Sequence, residues 1–176
     1  MDIIVKQTAQ IADLAALMGS GVYAETKIES LCADSPDFHV VAVENNLPAA
    51  CCSVWHSETV GENLAAIVFF RANGEKAARA VLEKAEELLK AEKVLAILAP
   101  LNKNTWKSYR FVTKTDGRPP FLLEPQNLPE YPEFLRSCGF AEHEEYYSAL
   151  EEPILLDEKK LSGTLSSLAD KGIKIR

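Results

Sequence analysis

Residues 64–101 read LAAIVFFRANGEKAARAVLEKAEELLKAEKVLAILAPL. Leu64–Phe70 is a continuous apolar run, the kind a sheet buries on both faces. A polar turn follows. Ala77, Ala78, Val81, Leu82, Ala85, Leu88 and Leu89 then recur at helical spacing, and Glu and Lys fill the opposite face. Val94–Leu101 is a second buried-type strand. Strand, polar turn, long helix and strand make a βαβ-like unit.

Working toward the N-terminus, Phe38–Glu44 (FHVVAVE) and Pro48–Ser57 read as two strands of a hairpin. Asn45-Asn46 between them is the turn, because Asn tolerates positive φ. Ile3–Val5 predicts a short opening strand. Thr8 predicts an N-cap for a helix carrying Ile11, Leu14, Ala15 and Met18, which ends at Gly19 and Gly21. A shorter helix is expected over Lys27–Ala33, stopped before Pro36.

Toward the C-terminus, Asn102–Pro129 has many turn formers and no clear period. A stretch of that length in a compact domain is usually functional or disordered, and its aromatics favour an ordered loop. Tyr131–Cys138 predicts a short helix with Gly139 at its C′ position. Glu145–Leu150 reads as a final strand whose edge could pair across a two-fold axis. Lys159–Ala169 predicts a last helix stopped by Gly172, and KGIKIR begins another strand. The sequence thus predicts an α/β domain over 1–150, with a mixed sheet and helices on both faces, and an extension over 151–176.

The 176 residues carry 19 Lys+Arg and 26 Asp+Glu, a net charge of −7. An acidic balance argues against non-specific nucleic-acid binding, which needs clustered cations. The longest apolar run falls far short of the about 20 residues that span a bilayer. MDIIVKQT lacks a basic start and a long apolar stretch, so no secretory signal is expected and the location reads as cytoplasmic. Cys32, Cys51, Cys52 and Cys138 match no zinc spacing and read as buried reduced thiols, with Cys51 and Cys52 on opposite faces of a strand. His39, His56 and His143 are too scattered for a metal site, and none is expected.

The predicted order resembles the GNAT superfamily of acetyl-CoA-dependent N-acetyltransferases over about residues 1–150. IIVKQTAQIADLAAL is similar to that family's first strand and helix. Leu64–Leu89 is similar to its central strand, pyrophosphate loop and helix, and Gly139-Phe140 to its closing Gly-Phe. The block from Leu101 to Phe140 resembles a bacterial subgroup with no obvious substrate. KGIKIR resembles an opening GNAT strand, which would either pair at an edge of this domain or begin a second GNAT domain in tandem; a homodimer through the Glu145–Leu150 edge is the other partner left open.

A glycine-containing turn before a helix offers backbone N–H groups and a positive dipole end to an anion. The family loop, Arg/Gln-x-x-Gly-x-Gly/Ala, maps onto Arg71, Gly74 and Lys76, with Lys76 where a small residue is expected. A second register puts Lys76, Ala77 and Ala78 at the small positions and Asn73 at the Arg. The resemblance thus implies acetyl-CoA along Val68, Phe69, Phe70, Arg71, Asn73, Gly74, Lys76 and Ala77. Without a ligand, Asn73 or Gly74 simply caps a core helix.

A family Tyr often donates a proton to the departing thiolate, four residues before the Gly of Gly-Phe. Leu135 holds that position here, and Tyr131 is the nearest hydroxyl. No carboxylate lies in Leu64–Phe70; Glu124, Glu130 and His56 are the substitute bases, each also readable as a solvated or capping side chain. Tyr131 and Glu124 are the catalytic candidates. Trp106, Tyr109 and Arg110 suit an acceptor pocket for an acidic or planar group, or equally a cluster that pins the loop. The expected activity is direct acyl transfer from acetyl-CoA to a small-molecule or peptide amine. Its rival is a catalytically silent GNAT-like ligand-binding or interaction domain, favoured by Lys76 and Leu135.

Overall fold

The computed structural model describes residues 3–8, 36–56, 60–102, 109–120, 124–149 and 158–172. The helices expected over 9–19 and 27–33, the strand expected at the C-terminal IKIR, and Cys32 lie outside them, while Thr8, expected as an N-cap, ends the first strand. The chain divides into two compact units, Met1–Ala141 and Glu142–Arg176.

The first unit is built on one five-stranded sheet, β1 (Ile3–Thr8), β2 (Phe38–Glu44), β3 (Leu47–His56), β4 (Leu64–Ala72) and β5 (Ala96–Leu98), in that spatial order. The first three pairings are antiparallel and β4–β5 is parallel. Helix α1 (Glu75–Ala91) makes the crossover between β4 and β5, and α2 (Tyr131–Ser137) packs on α1. This is the mixed α/β sheet that the resemblance implies.

The β2–β3 hairpin closes at Glu44↔Leu47 through Asn45 (φ 53°) and Asn46 (φ 63°). Both sit in the left-handed region, as a two-residue loop requires if its twist is to match that of the strands. The apolar stripe of α1 buries Ala77, Ala78, Val81, Leu82, Ala85 and Leu89 against the sheet. Burying each Leu contributes about 1.5–3 kcal/mol. On the sheet side the same core takes Phe38, Val40, Cys52, Val54, Ala65, Ile67, Phe70 and Ala72. The opposite sheet face is also buried, at Val41, Cys51, Trp55, Ala66 and Val68. Cys51 and Cys52 therefore do point to opposite faces.

Two expectations need correcting. The strand expected over Val94–Leu101 is only Ala96–Leu98. Pro100 has no N–H to give a ladder, so the apolar run outlasts the strand. The strand expected at Glu145–Leu150 is absent from the described residues 141–149. Tyr146 and Tyr147 there are exposed. The proposed two-fold edge pairing thus loses its element.

In the second unit, Glu158–Asp170 is helix α3, close to the expected span. Gly172 follows it with φ 74°. Among the described residues, no helix is long and apolar enough to cross a membrane.

Candidate active site at the end of β4

Strand β4 is not regular. Between Cys51↔Arg71 and Ser53↔Val68, β3 advances two residues while β4 advances three. The extra residue makes a β-bulge, with Phe69 at φ 51°. Val68 packs on the face away from α1, and so does Phe69. Phe70 then returns to the α1 side. The thiol of Cys51 reaches the Phe69 carbonyl at 3.7 Å.

On its other edge, the register of β4 with β5 runs Leu64↔Ala96, Ala65↔Ile97 and Ala66↔Leu98 and stops. One further link follows, from Leu101 N–H to the Ile67 carbonyl at 3.0 Å. The bulge lies past this link, where β4 and β5 no longer run as a ladder.

Beyond the bulge, Arg71 turns its guanidinium back, Nη1 donating to the Phe70 carbonyl at 2.8 Å. The N–H of Ala72 donates to the Tyr131 hydroxyl at 3.3 Å, and that of Asn73 to the Ala49 carbonyl at 2.8 Å. Both amides are thus engaged by the protein itself, and Asn73 is one of the residues that the resemblance assigns to acetyl-CoA. Gly74 is the N-cap of α1, and no side chain caps that helix start. The first intrahelical bond runs from Ala78 N–H to the Gly74 carbonyl at 3.0 Å. N–H groups before that one have no carbonyl within the helix to use.

A Cβ placed on Gly74 would meet no heavy atom within 4 Å. Its φ of 172° is ordinary extended backbone, so open space rather than conformation distinguishes this glycine. The Glu75 carboxylate turns along the helix to Arg79, 3.4 Å away. Asn73, Glu75 and Lys76 carry exposed side chains, and Ala77 is buried.

Tyr131 is 1% exposed. Its ring meets Phe70 edge-on at 5.1 Å and also touches Phe111 and Phe134. Glu124 is paired with Arg110, Oε1 to Nη2 3.3 Å, and that guanidinium lies 4.7 Å from the centre of the Tyr109 ring. Tyr109, Arg110 and Glu124 therefore form one cluster, while Trp106 lies outside the described residues. Leu135 is buried in the α1–α2 core.

No protein-family profile matches the chain. No curated protein matches it either. Among solved structures it is similar to an aminoglycoside acetyltransferase from an uncultured soil metagenomic sample, solved with sisomicin. That match has 12% identity, covers 85% of this chain and 97% of that one, and has a TM-score of 0.48. A probable acetyltransferase is 14% identical, with 86% and 97% covered and a TM-score of 0.48. The PaiA N-acetyltransferase of Thermoplasma acidophilum, solved with coenzyme A, is 16% identical, with 53% and 76% covered and a TM-score of 0.37.

The sequence located the strand, the loop and the helix start. It missed the bulge, because a run with no alternation has no phase to break. It also missed the Ala72–Tyr131 contact, which joins residues 59 apart.

Proposed function

We propose that this chain is an acetyl-CoA-dependent N-acyltransferase of GNAT type, acting by direct transfer on an amine of a small molecule or peptide. The observation that carries the reading is the succession along β4: bulge at Phe69, end of the β5 ladder, open Gly74, uncapped start of α1. A thioester would lie along the bulge. Its diphosphate would take the N–H groups from Gly74 to Ala77, where the helix dipole favours negative charge.

In this reading the neutral amine attacks the thioester carbonyl, the C–N bond forms, the C–S bond breaks to release thiolate, and the surplus amine proton passes through water to that thiolate or to solvent. Backbone N–H groups near Val68–Phe70 stabilise the developing oxyanion. Most of the acceleration comes from holding amine and thioester together. Arg71 and Lys76 supply positive charge near the phosphates. Tyr109 and Arg110 line the acceptor side, with the Arg110 charge balanced by Glu124.

A second reading, a GNAT-like domain that binds but does not catalyse, is favoured by one observation: the Tyr131 hydroxyl and the Glu124 carboxylate are both held by the protein's own groups. Calorimetric titration with CoA and acetyl-CoA tests both. Binding of each, with CoA release when an amine panel is added, supports the enzyme. Binding without release supports the silent domain. No heat and no thermal shift at millimolar ligand removes the enzyme and leaves only a silent interaction domain.

A further inference from the structure

Two consecutive amides at the end of β4 are tied to different parts of the fold. Asn73 N–H is held by the backbone of β3 at Ala49, which any sequence could provide. Ala72 N–H is held by a side chain, the hydroxyl of Tyr131, from a helix 59 residues away. The Tyr131 ring is wedged against Phe70 on one side and against Phe111 and Phe134 on others. At 1% exposure the hydroxyl offers no surface to a substrate. The amide it holds, Ala72, stands two residues before Gly74, where the chain leaves the sheet and α1 begins.

We propose that Tyr131 is a positioning residue: through the Ala72 amide it fixes the direction in which the start of α1 presents its N–H groups to a diphosphate. The proposal rests on the CoA reading above and gives Tyr131 a role other than proton donor. A phenylalanine would keep the ring contacts and leave the Ala72 amide buried without its acceptor. The loop would then gain freedom that a bound ligand must remove.

The test pairs Tyr131→Phe with Ser53→Ala, which also removes one buried hydrogen bond, to His39, but away from the loop. Both full-length variants are titrated with CoA by calorimetry and melted without it. Tyr131→Phe should weaken CoA binding about tenfold, and Ser53→Ala should bind as the wild type does. A Tyr131→Phe variant with wild-type affinity, even one that melts lower, overturns the proposal. Amide hydrogen exchange separates this from failure of the CoA reading. If the wild type binds no CoA, that reading falls in the wild-type arm alone. Exchange then decides the strut: about tenfold faster exchange at Ala72 and Asn73, with Ala65–Val68 unchanged, supports it, and unchanged exchange at Ala72 and Asn73 overturns it.

Discussion

His39 Nδ1 and Ser53 Oγ share a 2.7 Å hydrogen bond across the β2–β3 pair, with both residues buried. Burial lowers the pKa of His39 below its ordinary 6.5, because a charged imidazole loses hydration there. As pH falls, the unfolded chain takes up this proton before the folded chain does. The stability tied to neutral His39 is complete above about pH 6.5 and is lost progressively from there down through the lower folded pKa. His39→Gln should flatten that part of the curve. Urea unfolding between about pH 5 and 8 measures it, and an undiminished slope in the variant refutes the assignment.

Gly74 separates a ligand effect from a folding effect. Its backbone is extended and nothing stands within 4 Å of a Cβ placed there. Gly74→Ala should therefore change stability by less than about 1 kcal/mol, the cost of a poorer N-cap. CoA affinity should drop at least tenfold, and Gly74→Glu should abolish binding through bulk and charge. Unchanged calorimetric affinity in Gly74→Glu would show that the diphosphate sits elsewhere.

Asn127 pins the long connection before α2. Its Oδ1 accepts from Val112 N–H at 2.7 Å, and its Nδ2 donates to the carbonyls of Val112 at 3.2 Å and Leu128 at 2.9 Å. Asn127→Ala takes away the acceptor of the partly buried Val112 N–H and the donor to the Val112 carbonyl, while the Leu128 carbonyl keeps the Tyr131 N–H at 3.1 Å, a loss of about 1–3 kcal/mol. A chemical-denaturation midpoint unchanged from wild type would mean the loop is held by other contacts.

Burial pushes the Cys51 thiol up to about 12 and raises Cys52 as well. A thiol reacts as its thiolate, so neither should react with a disulfide reagent in the native protein at neutral pH. Both should react once urea unfolds the chain. Mass spectrometry that finds native labelling at either position would contradict their burial.

Much of this fold can be read from local pattern. Asn45-Asn46 marked a turn because both residues had to accept positive φ, and both do. The stripe from Ala77 to Leu89 marked a helix because its period has no strand equivalent. Gly139 marked the end of α2 and has φ 91° there. Glu145–Leu150 misled because alternation describes a strand only when another strand stands beside it, and none pairs with the described 141–149. The site was legible as a glycine-bearing turn before a helix. Which amides were already in use was not, since Ala72 and Asn73 find their acceptors in Tyr131 and Ala49.

The surplus residue in β4 works like a reading frame. Remove Phe69 and the frame returns to plain alternation: Val68 stays on the face away from α1, Phe70 stays on the α1 side, and Ser53↔Val68 and Cys51↔Arg71 keep their register. A deletion at Phe69 should therefore cost the fold far less than one elsewhere in the strand, and a deletion series through residues 64–72 should show its tolerated position there.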